Sequence, residues 1–357
     1  MSEGVATAKP KTLCLRHPEW VGTDYLANFR EKFELHVRVY HTCTERMLTR
    51  RKVIDVPDRK EWFRNIDQKV EQNGPFQAMI IRMGTHPYGN FDQDFFAPLL
   101  PDLKCIASAS AGYDEFSVDW MSSQNIWFCN TVDAVSEATA DMAVFLMLAA
   151  IRDTTRAEKA AREGRWRADH VPSRDPTGLK LGIVGMGAIG KHIARKAAVF
   201  NLDVQYHNRR RLSEAEEATY KAGYCQTLQT LLETSDIVSI SVPLNPGTTG
   251  MIGASELASM KDSSILINTS RGAVIYEQAL INALESGKIW RAGLDVFCGE
   301  PEIHDYFKES EKVIIQPHLG GLTQMSFRKA ERECFENIKG FFETGRPVAP
   351  VNVLSTK

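Results

Sequence analysis

The sequence has almost no charge bias: 43 lysines and arginines face 45 aspartates and glutamates, for a formal charge of −2. That balance supplies no bulk field for a polyanion, so neither nucleic acid nor an anionic membrane surface is an expected partner. Long apolar runs are also missing. The longest, Met142 to Ile151, has ten residues, and a membrane-spanning helix needs roughly 18 or more. The opening MSEGVATAKPKT has no apolar stretch of the kind a secretory signal uses, so a cytoplasmic protein is expected. The seven cysteines (Cys14, Cys43, Cys105, Cys129, Cys225, Cys298 and Cys334) are scattered and never stand as C-x-x-C, against a disulfide framework. The nine histidines include no H-E-x-x-H and no cluster with cysteine, and no metal is expected. Nor does any period of about 20–50 residues recur, against a solenoid or propeller.

What is there reads as an ordinary globular composition, 43% hydrophobic and 25% charged over 357 residues, enough chain for about two domains. Short apolar runs at 12–15, 33–40, 78–83, 104–109 and 126–129 predict strands, with helical patterns at 19–32, 58–72 and 92–99. Strands alternating with helices imply βαβ crossovers and a parallel sheet. A pattern without Gly or Pro, 135–162, predicts one long helix, and the polar stretch 164–178 a connection. A second series of strands follows at 181–184, 203–206, 237–242, 264–268, 292–296 and 313–316. Helices are predicted at 189–200, 213–222, 227–234, 276–286 and 324–344. On these patterns alone the chain would be cut at the 164–178 connection.

The first strand of the second series runs into Gly185-Met186-Gly187-Ala188-Ile189-Gly190 and then a helical pattern, which is G-x-G-x-x-G in its required setting. Gly185 permits the tight turn, Gly187 lets the backbone approach a pyrophosphate, and Gly190 lets helix and strand pack closely. The next strand ends in Tyr206-His207-Asn208-Arg209-Arg210-Arg211. An NAD site usually places a carboxylate about 20 residues past the glycines, for the ribose 2′-hydroxyl. Here Asn208 stands near that position, and guanidinium groups favour a 2′-phosphate. NADP(H) is therefore the expected cofactor, with Asn208, Arg209 and Arg210 around its phosphate and NAD(H) as the second choice.

Three later segments each follow a strand: Asn268-Thr269-Ser270-Arg271-Gly272, Gly293 to Pro301 (GLDVFCGEP) and Gln316 to Gly321 (QPHLGG). They place polar residues at strand carboxyl ends, where open α/β sheets bind ligands. In these segments and the glycine loop the sequence resembles the D-isomer-specific 2-hydroxyacid dehydrogenase family, including its glyoxylate/hydroxypyruvate reductases and fungal D-mandelate dehydrogenases. GYD at 112–114, GRW at 164–166 and the Pro176-Thr177-Gly178 entry to the strand are similar too.

The resemblance implies an α/β fold of two Rossmann-like lobes with doubly wound parallel sheets. Residues 134–321 would be a nucleotide lobe inserted into a substrate lobe formed by 1–133 and 322–357. It implies hydride transfer between a 2-oxo acid and a D-2-hydroxy acid, and a homodimer. His318 would be the acid–base group, since imidazole titrates nearest neutral pH. Glu300 would be its carboxylate partner, and Arg271 would hold the substrate carboxylate and polarise the carbonyl. Thr139, Val242, Pro243, Thr269, Ser270 and Gly320 would line the cofactor, and Asp295 would bind the nicotinamide carboxamide. The loop at Arg82, Met83 and Gly84 would meet the substrate beside Arg271 and His318. Formate dehydrogenases share the fold but carry Gln where Glu300 stands. A different class, an NAD(H)-sensing corepressor of the same fold, keeps the same triad and is the alternative.

Overall fold

The computed structural model describes residues 8–37, 58–82, 88–131, 133–167 and 172–354. The chain divides into two compact units, one formed by 1–135 with 323–357 and the other by 136–322. The 164–178 connection, where composition alone would cut, lies inside the second unit.

The first unit is built on β1 (Lys11–Cys14), β2 (Glu34–Val37), β3 (Ala78–Ile81), β4 (Cys105–Ser108) and β5 (Trp127–Cys129). All pair in parallel, in the order β2-β1-β3-β4-β5. Successive side chains of a strand point to opposite faces, and each face here has its own core. Leu13, Met79, Ile106 and Phe128 pack on one side with Trp62 and Phe95. Their neighbours Cys14, Ile80, Cys105 and Cys129 pack on the other with Phe29 and Phe335. A sheet covered on both faces explains why these strands read as unbroken apolar runs. The chain returns to this unit through the Gln324–Thr344 helix, which lies over β3 and β4.

The second unit holds β6 (Lys180–Val184), β7 (Asp203–His207), β8 (Ala222–Tyr224), β9 (Ile237–Ile240), β10 (Ser264–Asn268), β11 (Ile289–Leu294) and β12 (Val313–Ile315). They form one parallel sheet in the order β12-β11-β10-β9-β6-β7-β8. The order reverses at β6: the chain builds outward through β7 and β8, then returns to the other side of β6 for β9 to β12. The crevice beyond the carboxyl ends of β6 and β9 is the switch point where such sheets bind ligands.

Two sequence expectations need correction here. The pattern over 135–162 is two helices, Ser136–Arg152 and Thr154–Arg162, broken at Asp153. Asp153 takes the left-handed conformation, φ 55°, and is buried. Its carboxylate accepts Arg156 Nε at 2.7 Å and Arg291 Nη2 at 2.6 Å. Aspartate tolerates that conformation better than most residues, so the break carries no Gly or Pro signature. Strand β8 had no distinct apolar run, since its Ala-Gly-Tyr is too short to show period two. The expected strand tail at 38–40, and the first half of the stretch between Thr42 and Asn73, fall outside the described residues. The remainder of that stretch is the Arg59–Asn73 helix, capped by Asp58 and held by buried Trp62 and Ile66.

Candidate active site

The glycine turn follows β6 directly. Gly185 has φ +99°, and a Cβ there would stand 2.6 Å from the Ser241 carbonyl oxygen, so only glycine fits. At Gly190 a Cβ would come within 2.3 Å of the Gly185 carbonyl oxygen, which is the close helix–strand packing the motif exists to allow. Gly187, by contrast, has nothing within 4 Å of its missing Cβ. It caps the Ala188–Val199 helix without a side-chain hydrogen bond. The first turn of that helix, Ala188 and Ile189, thus presents backbone N–H groups toward open space. Beside the turn, Val242 Cγ1 also crowds Gly185, and Pro243 stands exposed in the loop after β9. Two buried hydroxyls near these strand ends, Ser241 Oγ and Thr269 Oγ1, have no hydrogen-bond partner among the described residues. Buried hydroxyls left unpaired are costly. The uncapped turn, the space over Gly187 and these two orphaned hydroxyls together fit a dinucleotide.

At the end of β7 the three arginines divide. Arg211 is bound through Nε at 2.9 Å and Nη2 at 2.8 Å to the two oxygens of Glu217. Arg211 and the Tyr206 hydroxyl hold the Glu217 carboxyl at about 2. Arg209 and Arg210 are exposed and have no ion-pair or hydrogen-bond partner for their guanidinium groups among the described residues. Asn208 Nδ2 donates to the Arg210 carbonyl at 3.0 Å and shapes the turn. The helix that follows opens on the expected Ser213–Glu216 capping box.

Beyond β10, Asn268 builds the loop that carries Arg271. Its Oδ1 accepts the Ser270 N–H and hydroxyl, each at 3.0 Å, and its Nδ2 donates to the Arg271 carbonyl at 2.9 Å. Asn268 is fully buried, and sequence reasoning gave it no role. The signal was its type: Asn at a strand end folds such turns through its own amide. Gly272 then lets the loop press against the Phe297–Cys298 backbone, where a Cβ would lie 2.0 Å from the Phe297 carbonyl carbon. Arg271 is half-buried, and its Nη1 donates to the Ser270 carbonyl at 2.9 Å.

His318 and Glu300 are adjacent: the imidazole Nδ1 donates to Glu300 Oε2 at 2.7 Å. Glu300 Oε1 accepts the Phe297 N–H at 2.8 Å. Burial pushes the Glu300 carboxyl up, but the His318 hydrogen bond and charge, the Phe297 N–H and the Arg271 charge outweigh it. The net result lies below the ordinary carboxylate value. Asp295 is buried to 1% exposure, and its two oxygens accept the N–H groups of Leu319 at 2.7 Å and Gly320 at 2.8 Å. Thr139 sits buried in the Ser136–Arg152 helix, its Cγ2 3.3 Å from where a Cβ on Gly320 would be.

In the first unit, Arg82 follows β3, but its guanidinium is committed inward. Nε pairs with buried Glu331 at 2.6 Å, and Nη1 donates to the His17 carbonyl. Only its place at the strand end, not its side chain, is left for a ligand. Met83 and Gly84 lie outside the described residues. Of the aromatic residues of this unit, Tyr88, Phe91 and Phe116 are core, while Tyr113 is 39% exposed.

A G-x-G-x-x-G turn at a topological switch point, with a paired histidine and carboxylate at neighbouring strand ends, defines a nicotinamide-dependent oxidoreductase. Residues 144–320 match the family model described as the NAD binding domain of D-isomer specific 2-hydroxyacid dehydrogenase. The chain is 64% identical over 352 residues to dehydrogenase efuE of Hormonema carpetanum, covering 99% of this chain and 84% of that one. A crystal structure of glyoxylate reductase from Paecilomyes thermophila superposes with a TM-score of 0.84 at 31% identity, covering 96% and 98% of the two chains. The holo D-mandelate dehydrogenase of Rhodotorula graminis does so with a TM-score of 0.86 at 30% identity, covering 98% and 99%. The chain belongs to the D-isomer specific 2-hydroxyacid dehydrogenase family, and is an enzyme acting on CH–OH groups.

Proposed function

We propose that the protein is an NADPH-preferring reductase that interconverts 2-oxo acids and D-2-hydroxy acids. The observation that carries the reaction is the 2.7 Å His318–Glu300 pair, set after β11 and β12 of the sheet whose β6 leads into the dinucleotide turn. Because Nδ1 is engaged by Glu300, the ring nitrogen free to hand a proton to a carbonyl oxygen is Nε2. The same hydrogen bond fixes the plane of the imidazole. Arg271 pairs with the substrate carboxylate and stabilises charge on the carbonyl oxygen, a task suited to a planar guanidinium. A bound dihydronicotinamide supplies the hydride. Gly185, Gly187, Ala188, Ile189 and Gly190 would hold its pyrophosphate, and Thr139, Val242, Pro243, Thr269, Ser270 and Gly320 would line the rest.

The NADPH preference rests on the turn after β7, which offers the Arg209 and Arg210 guanidinium groups, unpaired among the described residues, while Glu217 is paired with Arg211. In this reading the second unit is the nucleotide lobe and the first the substrate lobe. A homodimer is the assembly that the family resemblance implies. No helix among the described residues is long and apolar enough to cross a membrane, which agrees with a cytoplasmic enzyme. The test is oxidation of NADPH and NADH, followed at 340 nm, with glyoxylate, hydroxypyruvate, phenylpyruvate, benzoylformate and branched 2-oxo acids. Turnover with NADPH well above NADH is expected. No turnover with any of them would overturn the reading.

A further inference from the structure

We infer that Asp295 is the positioning residue that holds His318 against Glu300, acting through the backbone of the turn His318–Leu319–Gly320. The inference rests on His318 being the acid–base group. His318 has φ 57°, in the left-handed region, where a non-glycine residue stays only when its surroundings hold it there. What holds it is concentrated in one residue. The His318 N–H donates to the Asp295 carbonyl at 2.8 Å, the Leu319 N–H to Oδ1 at 2.7 Å and the Gly320 N–H to Oδ2 at 2.8 Å. Three consecutive N–H groups thus converge on Asp295, two of them as charge-assisted bonds to a buried carboxylate. The fit is tight enough to specify glycine at 320, where a Cβ would stand 2.8 Å from Asp295 Oδ2.

The same residue reaches the other half of the site. The Asp295 N–H donates to the Asn268 carbonyl at 2.9 Å, and Asn268 is the residue whose amide builds the Arg271 loop. Asp295 therefore links the turn carrying His318 to the strand end carrying Arg271. Burial pushes its carboxyl above the ordinary aspartate value, against the two N–H bonds and the nearby imidazole. A group kept buried at that cost, with each oxygen given to the His318 turn, is placed for geometry. Asparagine is nearly isosteric but would aim an NH2 at one of the two backbone donors, so it breaks the clamp without removing bulk.

The test compares Asp295→Asn with His318→Gln and the wild-type enzyme by three readouts. Turnover of a reactive 2-oxo acid gives kcat. Fluorescence titration with NADPH gives the cofactor Kd without any reaction. In the protein without cofactor, the downfield imidazole N–H proton that His318→Gln abolishes reports the His318–Glu300 pair. Asp295→Asn is expected to lose that resonance and at least about tenfold in kcat while its NADPH Kd stays within about threefold. If the resonance and kcat persist and the Kd rises tenfold or more, Asp295 is a cofactor ligand only and the inference is overturned. If His318→Gln turns over like wild type, the acid–base reading itself fails, a separate result. Should Asp295→Asn not fold, Gly320→Ala displaces the same turn with the carboxylate intact; because Gly320 also lines the cofactor in this reading, the resonance of the cofactor-free protein decides, its loss expected and its survival overturning the inference.

Discussion

At the scale of single residues the proposed chemistry rests on three side chains, Arg271, Glu300 and His318. His318→Gln or Arg271→Ala is expected to lower turnover by at least about 100-fold, the scale of a lost general acid or positioned charge. Steady-state rates near wild type in both would contradict the assignment. Glu300 has a pH signature with a definite sign. Its carboxyl lies below the ordinary value in the folded protein, so it contributes stability that is present above the unfolded value, about 4.3. That contribution is lost as pH falls through the folded value. Glu300→Gln is expected to flatten the stability–pH curve on its acid side, measured by urea unfolding between about pH 3 and 6. Arg271, Glu300 and His318 are legible in sequence through the family resemblance of the segments that follow β10, β11 and β12. Asn268 and Asp295 stand at strand ends as well. Their hydrogen bonds, however, go to backbone groups, which carry no sequence signature of their own.

At the scale of elements, the proposed NADPH preference rests on the turn after β7. Arg209→Ala with Arg210→Ala is expected to raise the Kd for NADPH about 10- to 100-fold, the value of one or two charge-assisted hydrogen bonds. The Kd for NADH should stay nearly unchanged; an equal loss for both would show that the turn does not read the phosphate. In the other unit, buried Glu331 joins three strands of argument about packing. It pairs with Arg82 and accepts the N–H groups of Trp20 at 2.7 Å and Val21 at 2.9 Å. Glu331→Ala leaves a buried guanidinium and two N–H groups without their acceptor. A loss of about 3–5 kcal/mol is expected in denaturant unfolding, the range for a broken buried pair. The strands were legible because burial on both sheet faces leaves unbroken apolar runs, and the Gln324–Thr344 helix because burial of one face leaves a periodic apolar pattern. The break at Asp153 was not, because it is made by a tertiary pair with Arg291, which lies far along the chain. The committed guanidinium of Arg82 escaped for the same reason, since Glu331 belongs to the last helix.

At the scale of the whole molecule, the division into units follows from the chain's return. Residues 323–357 pair with the first unit, with Asn352 Oδ1 accepting the Phe128 N–H at 2.8 Å and Val351 N–H donating to the Phe128 carbonyl at 2.8 Å. Local composition points to the 164–178 connection instead, because pairing across the length of a chain leaves no local mark. A ligand that binds only the folded protein raises its stability by RT ln(1 + [L]/Kd), about 2.7 kcal/mol at 100 times Kd. NADPH is therefore expected to raise the melting temperature more than NADH at equal concentration, as read by differential scanning calorimetry.

The central claim is that this chain reduces 2-oxo acids with NADPH through His318. The most direct measurement is kcat/KM for a panel of 2-oxo acids with each nicotinamide cofactor, in the wild-type enzyme and in His318→Gln. The account predicts turnover of at least one 2-oxo acid, with NADPH preferred and the variant slower by at least about 100-fold. Equal rates in the two proteins, or a clear preference for NADH, would contradict it.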